Sequence, residues 1–191
     1  MRSIPLMASN PPNDKQLLST GLHLRFVERN RWEFVERPDI SGIVVILGLT
    51  DHNGVVLVSQ WREPVTAWVV ELPAGLAGDR YEDRQETLPD AAAREFFEET
   101  GFRADAMEEW LTGPPSPGLS SELVTFYRAY GLRRVGPGGG EEGEGVRAHV
   151  IPLARLDSWL DGMRTRGVLV DPKVLAGAYL LSRELNEAMD E

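Results

Sequence analysis

The stretch from Ala92 to Phe102, Ala-Ala-Arg-Glu-Phe-Phe-Glu-Glu-Thr-Gly-Phe, constrains this chain more than any other. Its residues suit a helix, yet the helix they make is electrostatically poor. Glu95, Glu98 and Glu99 stand at spacings of three and four, so their carboxylates share one face and repel. They also fall in the second half of the helix, where the macrodipole disfavours negative charge. Phe96 and Phe97 point away from them toward a core, and Gly101 supplies the stop. A hard divalent cation among the carboxylates resolves the repulsion. Mg²⁺ takes oxygen ligands, commonly one or two carboxylates plus substrate phosphates. The plain alternative is a solvated acidic face, which is what a lone Glu-Glu pair usually is.

Composition narrows the partners. A chain of 191 residues with 42% hydrophobic content fits one domain with a small extension. Its formal net charge of -10 argues against nucleic-acid binding, which calls for a basic patch. That charge leaves room for a phosphate-rich small molecule, because a bound metal inverts the local potential. With no cysteine, disulfides and thiolate chemistry are excluded. No apolar run reaches the length of a membrane span, and the first residues lack the apolar centre of a signal peptide. The expectation is a cytoplasmic protein with no membrane partner.

Along the chain, residues 1–20 read as a flexible arm, since Asn10-Pro11-Pro12-Asn13 neither packs nor propagates a helix. Residues 21–39 form a β segment, with strands over Leu22 to Val27 and Trp32 to Glu36. Two strands alone are marginal in water and need a partner surface. Residues 40–191 form the main domain. Ile43 to Leu49 is a continuous apolar run suited to a buried strand. A turn at Asp51-His52-Asn53-Gly54 leads into a return strand over Val55 to Trp61. Trp68 to Leu72 is a third strand, stopped at Pro73.

The acidic helix starts near Thr87, where Thr87 and Asp90 have capping-box spacing and Pro89 is tolerated in the first turn. Further strands are expected over Met107 to Leu111, Leu123 to Leu132 and His149 to Leu153, with a flexible hairpin tip over Gly136 to Gly145. Trp159, Leu160 and Met163 suggest a short helix. The last helix opens at Asp171-Pro172, with Val174, Ala178, Leu181 and Leu185 as its apolar stripe. Strands before and after one central helix make an α/β sandwich.

The wider pattern around the acidic helix is Glu86, then Arg94-Glu95, apolar Phe96, Glu98-Glu99, Gly101 and apolar Phe102. It resembles the Nudix box, and the chain resembles the Nudix hydrolases. One position departs. The family pattern has a glycine where this chain has Arg80, and the nearest equivalent is Gly75. An insertion over roughly 77–81 accounts for this and leaves the carboxylates in register. Pro117 inside Ser-Pro-Gly, the stretch Arg31 to Pro38, and the stretch from Gln60-Trp61-Arg62 through Glu71-Leu72-Pro73-Ala74-Gly75 resemble the ADP-ribose pyrophosphatase branch. The resemblance implies the Nudix fold, an α/β/α sandwich with a mixed sheet, beside a small N-terminal antiparallel β segment.

The resemblance also implies roles. Glu95, Glu98 and Glu99, with the carbonyl of Ala74, would hold Mg²⁺, with Mn²⁺ as a possible substitute. Arg94 sits four positions before Glu98 and is expected to orient that carboxylate, while Glu86 near the helix start is structural. Glu122 is the expected base, as a loop glutamate is in the resembling branch, with Glu98 as the alternative. Arg62 is either a fork for the diphosphate or a strand-end surface arginine. Trp32 is either a stacking platform for a base, with Glu33, Arg37 and Glu71 reading its edge or the ribose, or a core or interface residue.

The expected activity is Mg²⁺-dependent hydrolysis of the diphosphate of a nucleoside diphosphate sugar, foremost ADP-ribose to AMP and ribose 5-phosphate. GDP-mannose, another nucleoside diphosphate derivative, and a non-catalytic ligand sensor are the alternatives. The apolar load of Leu22, Leu24, Phe26, Trp32 and Phe34 invites pairing. In the resembling branch such a segment exchanges between two subunits, so a homodimer is expected; the alternative is a hairpin folded back on its own domain.

Overall fold

The computed structural model describes residues 14–78, 86–140 and 145–189. The insertion expected at 77–81, most of the N-terminal arm and the acidic centre of the Gly136 to Gly145 stretch therefore lie wholly or partly outside the described residues. The chain divides into two compact units.

The first unit joins the N-terminal residues to 114–122. Its sheet runs β1 (Lys15–Thr20), β2 (Arg25–Arg29) and β3 (Trp32–Glu36), each antiparallel to the next. The arm expected to be structureless through residue 20 thus ends in a strand. Pairing with β2 makes it, because Lys15–Thr20 is exposed throughout and has no buried face to betray it. The expected strand from Leu22 lies instead at Arg25–Arg29, after a turn in which the Gly21 amide donates to the Leu24 carbonyl at 2.8 Å. Asn30 and Arg31 both take positive φ, 53° and 67°. This is the handedness that a two-residue hairpin between twisted strands requires. The Glu28 carboxylate steadies it by accepting from the Arg31 amide at 2.9 Å. The 114–122 segment is held to β3 through backbone bonds from Val35 to Leu119 and from Ser121 to Val35, at 2.9 and 3.1 Å.

The second unit is built on β4 (Gly42–Leu49), β5 (Gly54–Arg62), β6 (Ala67–Glu71), β7 (Ala74–Ala77), β9 (Ala106–Gly113), β10 (Val124–Tyr130), β12 (Arg147–Pro152) and β13 (Leu169–Val170). The sheet order is β13-β6-β5-β4-β10-β9, with β12 on β5 and β7 on β4. β10 runs parallel to β4, while β5 and β7 run antiparallel to it, so the sheet is mixed. The short β8 (Phe102–Arg103) and β11 (Arg133–Arg134) pair separately. β7 was not expected from its residues. Ala-Gly-Leu-Ala has little strand propensity, and the strand exists because β4 offers it a partner from Val45↔Ala74 to Gly42↔Ala77.

Successive residues of a strand face opposite ways, and β4 is covered on both sides. Val44 and Ile46 pack with Phe96 of α1 (Leu88–Thr100). Val45 and Leu47 pack with Leu156 and Leu160 of α2 (Leu156–Thr165) and with Val174 and Leu181 of α3 (Pro172–Met189). Helices thus lie on both faces of a mixed sheet, as the resemblance implied. Burial on both faces explains the unbroken apolar run from Ile43 to Leu47. Among the described residues, no helix is long and apolar enough to cross a membrane.

Candidate active site

The acidic helix is fixed at both ends by its own sequence. Thr87 is the N-cap, and its Oγ1 accepts from the Asp90 amide at 3.3 Å while its hydroxyl donates to the Asp90 carboxylate at 2.6 Å. At the other end Gly101 takes φ 74°, and its amide donates to the Phe97 carbonyl at 2.8 Å. A side chain at Gly101 would be strained by that φ and would collide with the Gly136 carbonyl.

The reason for that crowding is a segment the sequence reads only as a hairpin tip. Residues 136–140 run against the end of α1. The Gly139 amide donates to the Glu99 carbonyl at 2.8 Å, and the Gly140 amide donates to the Glu98 carbonyl at 3.0 Å. Terminal helix carbonyls have no partner within the helix. Here a glycine-rich backbone supplies one to each of two glutamates whose side chains matter.

The carboxylates themselves are organised by Arg94, whose side chain is only 17% exposed. Its Nε and Nη2 donate to the two oxygens of Glu86, at 2.8 and 3.0 Å. Its Nη1 reaches Glu95 at 2.9 Å and Glu98 at 3.1 Å, and Nη2 also donates to the Leu76 carbonyl of β7 at 3.1 Å. The hydrogen bond to Glu86 is the first cause that lifts the guanidinium pKa above its ordinary value, outweighing partial burial. Arg94 therefore remains a cation at any working pH. The spacing of four brings Arg94 into contact with Glu98; its contacts with Glu95 and β7 have no such local signal.

Glu99, 6% exposed, accepts from the Ala74 amide at 3.1 Å. Glu95 lies over Gly75, where an added Cβ would collide with the glutamate's Cδ. The absent side chain is what admits this carboxylate against the sheet. The donor set is therefore all hard oxygen, on one helix, at a cradle only glycine leaves open. That chemistry fits Mg²⁺ or Mn²⁺. Among the described residues, no three acidic or histidine side chains are already drawn together around one point. The reason is visible in the bonds above: Arg94 engages Glu95 and Glu98, and Ala74 engages Glu99.

Arg62 and Glu71 also belong to this unit. On β5, Val56 faces α1, so Val58 and Arg62 face the same way by alternation, and Glu71 stands opposite Val58 in the register. The two are bonded to each other in a fork, Nε to Oε2 at 2.8 Å and Nη2 to Oε1 at 3.2 Å. They share the α1 face of the sheet with the carboxylates, and the guanidinium fork is turned on Glu71.

Trp32, Glu33, Arg37 and Glu122 belong to the first unit. Trp32 is 68% exposed, which removes the core alternative for it. Arg37 Nε donates to Glu122 Oε1 at 3.2 Å. The residue expected to read a nucleobase or ribose and the residue expected to act as base are thus partners, a pairing that a separation of 85 positions hid from the sequence.

The Arg94 network makes a stability prediction. Arg94→Met keeps the stem and strips the charge, leaving the nearly buried Glu86 without its guanidinium. Because the cluster retains some solvent, the expected loss is about 2 kcal/mol, below the range for a fully buried pair. A melting temperature lower by roughly 4–8 °C checks it. An unchanged melt would mean that the cluster contributes nothing to stability.

The NUDIX domain family pattern matches residues 41–174. A methanol dehydrogenase activator from Bacillus methanolicus is 32% identical over 163 residues, covering 85% of this chain and 80% of that protein. An ADP-ribose pyrophosphatase from Bacillus subtilis (strain 168) is 34% identical over 97 residues, 51% of this chain and 48% of that protein. A crystal structure of an ADP compounds hydrolase superposes with a TM-score of 0.66 at 18% identity, covering 92% of this chain and 93% of its own. At that identity the structural likeness speaks for the fold.

Proposed function

The chain belongs to the NUDIX family of hydrolases, and on that ground we propose that it cleaves the diphosphate bond of a nucleoside diphosphate sugar, foremost ADP-ribose, giving AMP and ribose 5-phosphate. The observation that carries this reading is the α1 carboxylate array. Glu95, Glu98 and Glu99 lie at the glycine-capped end of one helix, with Glu95 over Gly75 and Glu99 on the Ala74 amide. An ADP-ribose pyrophosphatase among the relatives supports the substrate class, although it aligns over only about half its length.

Glu95, Glu98 and Glu99, with the Ala74 carbonyl, would hold Mg²⁺, which when bound polarises phosphoryl oxygens and lowers the pKa of a water. The remaining work falls to the chain. Arg94 positions Glu95 and Glu98 and offsets their repulsion. Glu122, steadied by Arg37, takes the proton of the attacking water. Arg62, braced by Glu71, presents its outer N–H groups to the diphosphate. Trp32, with Glu33 beside it, offers an exposed indole for base stacking.

The deciding experiment is a substrate panel with Mg²⁺: ADP-ribose, GDP-mannose, FAD and diadenosine polyphosphates. Highest kcat/KM for ADP-ribose is the expected result. Preference for GDP-mannose would move the substrate, and no hydrolysis of any would overturn the enzymatic reading of this site.

We also propose a homodimer formed through the first unit, because Leu22, in the turn before β2, and Phe26, on β2, are 89% and 39% exposed beside short strands. Truncating the segment is a poor test, since it also strips the backbone partners of 114–122 and the Arg37 partner of Glu122. The cleaner test changes only exposed side chains. Leu22→Ser with Phe26→Ser should convert a sedimenting dimer to monomer with little change in melting temperature. A wild type that sediments as monomer ends the proposal.

A further inference from the structure

The face of the sheet turned away from α1 carries a cavity that the hydrolytic chemistry does not use. On β5, Val55 and Leu57 pack toward α2 and α3, so Ser59 faces that side by alternation. Arg147 stands opposite Ser59 in β12, His149 stands opposite Leu57, and Trp68 lies on β6 two residues before Val70, which pairs with Ser59. Trp159 of α2 and Arg166 just after it close the space, whose volume is about 400 Å³. That lies within the roughly 300–1,000 Å³ typical of small-molecule sites.

Its lining is basic although the chain is acidic. The chain carries a formal net charge of -10, yet no described carboxylate lines this cavity, and two arginines do. Among the described residues, neither Arg147 nor Arg166 has an ion-pair partner. The Arg147 guanidinium carbon lies 4.8 Å from the centre of the Trp68 ring, within cation–π range. His149 lies 5.2 Å from Trp159, tilted by 55°, and its Nε2 is 2.9 Å from the nearly buried Ser59 hydroxyl. Burial, and then the charge of Arg147, hold the imidazole pKa below its ordinary value. The positive charge of the cavity therefore comes from the arginines, and His149 is a neutral, oriented polar wall.

We infer that this cavity is a second ligand site, separate from the carboxylate face, and that it takes a nucleoside monophosphate. The two arginines hold the phosphate, for which planar guanidinium forks are suited. The base stacks among the indoles and the imidazole, because any nucleobase offers a π face. The Ser59–His149 pair supplies a polar group for the base edge or the ribose.

Binding is read without turnover, so the test stands apart from the hydrolase reading. AMP, adenosine and inorganic phosphate are titrated by calorimetry into the full chain in EDTA buffer. AMP should bind saturably and more tightly than either fragment. Arg147→Gln with Arg166→Gln should weaken AMP at least about tenfold, the loss expected for charge-assisted bonds. Trp159→Leu should weaken it as well, whereas Glu99→Gln should not, and melting curves establish that each variant is folded. The double arginine variant should keep the wild-type rate of substrate hydrolysis. The inference is overturned if AMP does not bind, if phosphate binds as tightly as AMP, or if the arginine pair is replaced without effect.

Discussion

Glu99→Gln is expected to lower turnover by at least about 10²-fold, the cost of removing one preorganised electrostatic stabiliser. The substitution changes little else. Glutamine keeps an oxygen that can accept from the Ala74 amide, now 3.1 Å from the carboxylate. The backbone carbonyl of residue 99 keeps its bond from Gly139. Folding should hold or improve, because a carboxylate one turn from Glu95 is neutralised. Mg²⁺ titration should show weaker binding in step with the lost rate, and a melting curve should show an intact fold. Hydrolysis at the wild-type rate would sink the metal-site assignment.

Glu122→Gln is expected to lower kcat by about 10²-fold or more, within the range for a general base, with KM near its wild-type value. The pairing with Arg37 makes the outcome informative. Glutamine can still accept from Arg37 Nε, so a lost ion pair alone would leave the loop held and kcat largely intact. Steady-state kinetics of Glu122→Gln and Glu98→Gln side by side separate the candidates. If Glu98→Gln abolishes kcat and Glu122→Gln does not, the proton goes to Glu98.

What the sequence disclosed was what neighbouring residues decide among themselves. Thr87, Asp90 and Gly101 announce the ends of α1 because caps are local devices. The unbroken apolar run of β4 announces burial on both faces. The constellation from Glu86 to Phe102 is likewise a matter of fixed spacing along one short stretch of chain around α1. What stayed hidden depends on partners far away in the chain. β7 has poor strand residues and exists through β4. Lys15–Thr20 has no buried face, and only β2 makes it a strand. The fork of Arg94 onto Glu86 and Leu76, the Arg37–Glu122 pair and the Ser59–His149 pair join residues whose proximity no periodicity encodes. Arg62 and Glu71 are each candidates for substrate contact by their place in the sequence, and their mutual fork is visible only once β5 and β6 are paired.

The backbone of residues 136–140 has a consequence for how motion in this chain should be interpreted. By composition Gly136-Pro137-Gly138-Gly139-Gly140 resembles a linker. Yet the Gly139 and Gly140 amides are spent on the carbonyls of Glu99 and Glu98. Their exchange with deuterium is therefore tied to the opening of the helix end and not to the looseness of a glycine run. These two amides should exchange together with the last turn of α1 and so serve as built-in reporters of it. A perturbation that loosens the carboxylate-bearing turn would therefore register in two glycine amides that carry no side chain of their own.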